Sequence, residues 1–297
     1  MPRTDKAVDR ASASQAGLER AIDEAIGGAS GKLYALLARG SKLPGVRPNK
    51  DLADRFATAC ASRGAAADSL AETLATLDAD RAPGATELEF LPMCGVAAAG
   101  ARGASDPKSV PRMLALLEAA SEDLRWRVRE AVPPALARIG AVRGQALLED
   151  VLPWMQGFFP ATAVLIALAR LEWLSELDEA TLALARLEQA FELARDADRS
   201  AERYPGYKAL LLALGTCPAV LAARFGPPAF DVLVRMGDIK EPMIREAIAK
   251  NLESTKLARR FAADLARVRR ALEASAPLAR DPRSYVGPTR RRGRRSR

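Results

Sequence analysis

The twenty residues from Ser121 to Gly140, SEDLRWRVREAVPPALARIG, constrain the fold more than any other stretch of the chain. Leu124, Val128, Ala131, Val132, Ala135, Leu136 and Ile139 recur at helical spacing and make one apolar stripe. Glu122 and Asp123 fall where acidic side chains complement a helix dipole, and Gly140 reads as the stop. A related segment returns at Gly237–Leu252, GDIKEPMIREAIAKNL. Shifted by 116 residues, Arg129-Glu130-Ala131 and Leu136 land on Arg245-Glu246-Ala247 and Leu252. That shift is close to three periods of a helical repeat of about 40 residues.

Composition agrees with helices throughout. Aromatic residues are 5% of the chain, while Ala and Leu dominate and β-branched runs are scarce. Patterning places helices from near Gln15 to a stop at Gly27-Gly28, then at 32–39, 51–63 with Asn49 as cap, 66–77, 87–99, 113–120 and 124–139. Further ones follow at 145–155, 162–173, 178–197, 207–214, 218–224, 228–236, 242–252 and 257–274. The expected fold class is all-α, with residues 1–13 a disordered start, 14–275 a helical solenoid and 276–297 a disordered Arg-rich tail. About six helix pairs fit that length.

The chain has no histidine, which excludes Ser-His-Asp and Cys-His catalysis and histidine metal sites. Cys60, Cys94 and Cys217 are far apart and form no C-x-x-C pair, so they read as buried thiols. No catalytic residue, metal ligand or cofactor is assigned. The first fifteen residues have no apolar core, and the weakly polar run 209–223 is shorter than a membrane span, so a soluble cytoplasmic protein is expected. The net charge of +8 is uneven: residues 256–297 hold 14 Lys/Arg against 3 Asp/Glu, which leaves −3 for the first 255.

The segment around Asp123, Val128 and Arg129 resembles the second helix of a HEAT repeat. The chain is also similar to a bacterial group of HEAT-repeat proteins with no assigned activity. The matching segments are LPGVRPN (Leu43–Asn49), WRVREAV (Trp126–Val132), ALGTC (Ala213–Cys217) and REAIAKNLESTKL (Arg245–Leu257). The resemblance implies an adaptor that binds a protein partner, and that Asp123, Arg129 and Arg245 bond between successive repeats. A more distant resemblance, to the HEAT-like alkylpurine DNA glycosylases, implies a DNA-binding or DNA-repair protein as the alternative. The tryptophans of that family's catalytic pattern have no counterpart, since Trp126, Trp154 and Trp173 fall on three different helices.

Candidate binding residues gather in two places and in the tail. Trp126 lies opposite the apolar stripe with Glu130, where it is either covered by a neighbouring repeat or part of a binding surface. Arg125 and Arg127 flank it and suit phosphate or carboxylate contacts. Lys42, Arg47 and Lys50 surround the stiff LPGVRPN loop. Pro133-Pro134 removes two helical donors, so a kink is expected. Six of the last eight residues, Arg290, Arg291, Arg292, Arg294, Arg295 and Arg297, are read as an electrostatic arm for non-specific nucleic acid.

Overall fold

A computed structural model describes residues 3–276, with side chains from Gln15 onward. Among the described residues every regular element is a helix and no strand occurs. The first part of the chain forms α1 (Arg3–Ile26), α2 (Gly31–Gly40), α3 (Lys50–Ser62), α4 (Asp68–Ala75), α5 (Phe90–Ser105), α6 (Val110–Ser121) and α7 (Trp126–Arg143). Next come α8 (Ala146–Asp150), α9 (Phe158–Leu168), α10 (Leu171–Leu174), α11 (Thr181–Arg195), α12 (Pro205–Leu214) and α13 (Cys217–Phe225). The last are α14 (Pro227–Met236), α15 (Pro242–Asn251), α16 (Thr255–Arg260) and α17 (Ala262–Ala274).

Several boundaries depart from the sequence reading, each for a physical reason. α1 begins at Arg3, so residues 3–13 extend it rather than forming a disordered start; alanines and charged helix formers suffice there. The 145–155 helix is split into α8 and a 3-10 turn, Leu152–Gln156, because Pro153 lacks a donor. The 257–274 helix breaks at Phe261, whose ring leaves the helix line to pack on Phe230 at 5.3 Å. The expected tail lies, from residue 277, outside the described residues.

The helices pack in two successions. In the inner one α3, α5, α7, α9, α12 and α15 each touch the next. Helices α5 and α7 run parallel at close approach. A Cβ on Gly100 of α5 would come within 2.6 Å of the Ala135 backbone in α7, and one on Gly103 would press on Ile139. Such contact needs small residues, which the GVAAAGARG run of α5 supplies. At the far end Asn251 of α15, 1% exposed, donates to the Leu214 carbonyl of α12 and accepts from the Ala219 amide.

The outer succession contains α4, α6, α11, α14 and α17. Ion pairs join neighbours along it: Arg112 with Glu72, Arg235 with Glu188, and Arg267 with Asp231. In each, the arginine comes from the later helix. Between α6 and the Leu152–Gln156 turn this layer opens into a cleft of about 330 Å³ lined by Val110, Leu114, Arg143 and Trp154.

Candidate functional site

The start of α7 differs from expectation in a way that builds the site. The helix starts at Trp126 because Asp123 holds the preceding turn, its carboxylate accepting the Arg125 amide at 2.7 Å. Leu124 therefore leaves the apolar stripe and stands 90% exposed. Gly140 does not end the helix. It lies inside, where a Cβ would meet the buried Trp173 ring at 2.3 Å, and Gly144 at φ 55° ends it instead. Pro133 is buried and Pro134 exposed, and the helix runs unbroken through both.

Arg125 and Arg127 turn inward, so neither offers its guanidinium to a partner as the sequence suggested. Arg125 donates to the carbonyls of Leu77 (2.6 Å), Asp78 (3.1 Å) and Ala82 (2.7 Å), and to Asp123. It fastens the 76–86 connection to α7. Burial pushes the Asp123 carboxyl up, but the bonds from Arg125 outweigh it and hold the group below its ordinary range. Arg127 reaches Glu89 at 3.1 Å and the Gly45 carbonyl at 3.4 Å, beneath the Trp126 ring at 4.5 Å from its centre.

This arginine brings together three stretches far apart in sequence. Glu89 is 1% exposed and also accepts the Ala85 amide at 2.8 Å. Ala85 (φ 60°) and Lys42 (φ 64°) adopt the left-handed conformation that non-glycine residues avoid. Both loops that attach to Arg127 thus carry backbone strain, a feature concentrated at functional sites. Around it stand exposed apolar groups: Val46, Leu88 at 36%, Leu124, and Trp126 at 46%. Lys42, Arg47, Lys50 and Glu130 are exposed in the same region, and none of the three cations has a carboxylate partner among the described residues. Trp126 is therefore not covered by a neighbouring helix. The six tail arginines lie outside the described residues.

Arg129 does not pair with the Asp123 carboxylate. Its guanidinium donates to the backbone carbonyls of Asp123 and Leu124, and its plane lies over Phe159 at 4.3 Å. Arg245 makes the matching bond 116 residues on, to the carbonyl of Ile239. Each arginine closes the turn before its own helix. Among residues not singled out from sequence, Phe158, Phe159, Tyr204 and Tyr207 form an aromatic cluster at the starts of α9 and α12. Tyr204 is 45% exposed. The available signal was an aromatic at or just ahead of the starts of α7, α9 and α12.

Exposed charge on the inner helices is mixed in sign: Lys50, Asp51 and Asp54 on α3, Glu130 on α7, Lys208 on α12, Glu246 and Lys250 on α15. Arg138 of α7 reaches Asp54 of α3 at 3.8 Å, spanning the small-residue face of α5. All three cysteines are buried; burial pushes the Cys60 thiol up to about 12 and the Cys217 thiol to about 11. No group of three potential metal ligands occurs among the described residues. The stretch Pro205–Phe225 is apolar and long enough to cross a membrane, yet the turn at Gly215-Thr216 splits it into α12 and α13, which are partly buried against other helices. Comparisons with protein-family models, with curated proteins and with solved structures give no match for this chain.

Proposed function

We propose that the chain is a HEAT-like helical-repeat solenoid that acts as a non-catalytic scaffold. On this reading it holds a protein partner at the edge made by the starts of α3, α5 and α7. Trp126, Val46 and Leu88 supply contact area, and Lys42, Arg47 and Lys50 supply charge. The tail arginines touch nucleic acid or another acidic surface. Two features support the repeat: the ordered inner succession of helices, and the shared bond of Arg129 and Arg245 to a carbonyl six residues earlier. A DNA-holding groove, the alternative, calls for cations on successive inner helices. The exposed charges found there are mixed, with acids at least as many as bases, which favours the scaffold.

The observation that carries the binding site is Trp126, half-exposed on a buried arginine whose other contacts are already fixed. An aromatic held rigid in this way loses little freedom when a partner covers it. Affinity capture from the native host with wild-type and Trp126→Ala chains tests the reading. Loss of a specific partner, at a cost of about 2 kcal/mol or roughly 30-fold in affinity, is expected. An unchanged set of captured proteins would move the binding surface elsewhere.

A further inference from the structure

Most arginines along the outer helices α6, α11 and α14 meet a carboxylate: Arg112 with Glu72, Arg195 with Asp196, Arg235 with Glu188. At the last two helices this pattern ends. Residues 256–276 hold six Lys/Arg against two Asp/Glu, and all six cations are exposed. Arg267 pairs with Asp231 at 2.6 Å and Asp264 at 3.1 Å, and Arg269 donates to the Leu252 carbonyl at 3.2 Å. Lys256, Arg259, Arg260 and Arg270 have no carboxylate within 4.0 Å among the described residues. Lys256, Arg259 and Arg260 stand at i, i+3 and i+4 and so share one side of α16, while Leu257 takes the buried side. The helix dipole rationalises the two arginines in the last turn. It opposes Lys256 in the first turn, where no acidic residue occurs.

We propose that this folded end of the molecule, α16 together with Arg270 of α17, binds the phosphodiester backbone of nucleic acid. The inference rests on the reading of the tail as a nucleic-acid arm, and gives that arm a structured surface to work with. Guanidinium forks match paired phosphate oxygens. No large apolar side chain is exposed between Gly237 and Ala276, so an anchor for a lipid surface is lacking. The exposed positions between the cations are largely alanine, such as Ala258, Ala262, Ala263 and Ala266, which leave the charges open to a flat polyanion. Contacts of this kind position a backbone and read no sequence.

The test uses the full chain with Arg290, Arg291, Arg292, Arg294, Arg295 and Arg297 all changed to Gln. Its affinity for a fluorescent duplex of about 20 base pairs, and for phosphatidylserine vesicles, is measured from 50 to 200 mM salt. Four phosphate contacts at about 0.9 each predict that duplex binding persists and weakens about 150-fold across that range. Adding Lys256→Gln, Arg259→Gln, Arg260→Gln and Arg270→Gln should abolish it while the melting temperature and helical signal stay as they were. If the glutamine-tail chain loses all duplex affinity while the wild type binds, the tail is the sole contact and the folded surface is disproved. Wild-type chain without affinity removes both readings. Persistent binding unchanged by the four helix substitutions, or preference for vesicles, also overturns the proposal.

Discussion

Helices α7 and α15 carry a similar pattern of buried and turn-closing residues in different surroundings. At the 116-residue offset Val128 and Ile244, Arg129 and Arg245, Glu130 and Glu246, Val132 and Ile248, and Leu136 and Leu252 correspond. Val128, Ile244, Val132, Ile248, Leu136 and Leu252 are buried in both, and both arginines close the preceding turn. The differences lie at the helix start and in its middle. Trp126-Arg127 stands against Pro242-Met243, Pro133-Pro134 against Ala249-Lys250, and Ala135 against Asn251. What the two helices share is what the packing requires. What differs is either a neighbour-specific fit, as at Ala135 and Asn251, or the exposed edge around Trp126.

The largest effect expected is at Arg127. Removing one member of its buried pair with Glu89 leaves a charge without compensation, so Arg127→Met should cost about 3 kcal/mol of unfolding free energy in denaturant titrations. Arg127→Met with Glu89→Leu should restore most of that loss. At the corresponding position α15 already carries Met243. A double variant no better than the single one would mean that the pair's geometry, rather than its charge, secures the edge.

Exchange at the Ala135/Asn251 position is expected to come next. Asn251→Leu orphans the Ala219 amide and the Leu214 carbonyl, a loss of about 2 kcal/mol. Ala135→Asn would crowd Gly100, at about 1–3 kcal/mol. Thermal melts of the two variants check whether each residue belongs to its own neighbours.

Arg129→Ala and Arg245→Ala should each cost about 1–2 kcal/mol. Only the second should loosen α17, because Arg245 also bonds the Leu272 carbonyl and the Ser275 hydroxyl, at 2.7 Å for the latter. Amide exchange along 262–274 separates them. Equal protection in both variants would argue that Arg245 serves its own turn alone.

Trp126→Ala should cost only about 1 kcal/mol of stability, since the ring is half in solvent and its stacking on Arg127 is modest. A loss of about 3–5 kcal/mol, the range for a buried aromatic, would return the ring to the core.

The smallest effect is one of pH. Asp123 has a lowered folded pKa, so its stabilising contribution is present above the ordinary carboxylate range and is lost as pH falls through the folded value. Ile239 holds the corresponding place before α15. Asp123→Asn should therefore lower stability near neutrality and flatten its acid dependence, seen as converging melting temperatures at low pH.

Much of the fold was legible because helical periodicity and caps are local. Asn49 accepts the Leu52 amide as its position ahead of α3 suggested, and Ile139 and Leu136 are fully buried. The offset of 116 aligned Arg129 with Arg245, and each donates to the carbonyl six residues before it. The boundaries of α7 were harder to see. A glycine at 140 and an acid at 123 are good stop and start signals, and neither describes Trp173 packing on the one or Arg125 gripping the other.

The sequence by itself determined the helices and the basic C-terminal end, because propensity, periodicity and charge are carried by neighbouring residues. Only the tertiary structure decided which charged and aromatic groups are available. Arg125 and Arg127 looked alike with Trp126 between them, yet both guanidiniums are drawn inward by loops more than thirty residues away. The ring between them is left facing water. Burial of a charge depends on partners that meet it only when distant segments close together. That meeting also joined the LPGVRPN loop, Leu88 and Trp126 into one edge, although they lie some forty residues apart along the chain.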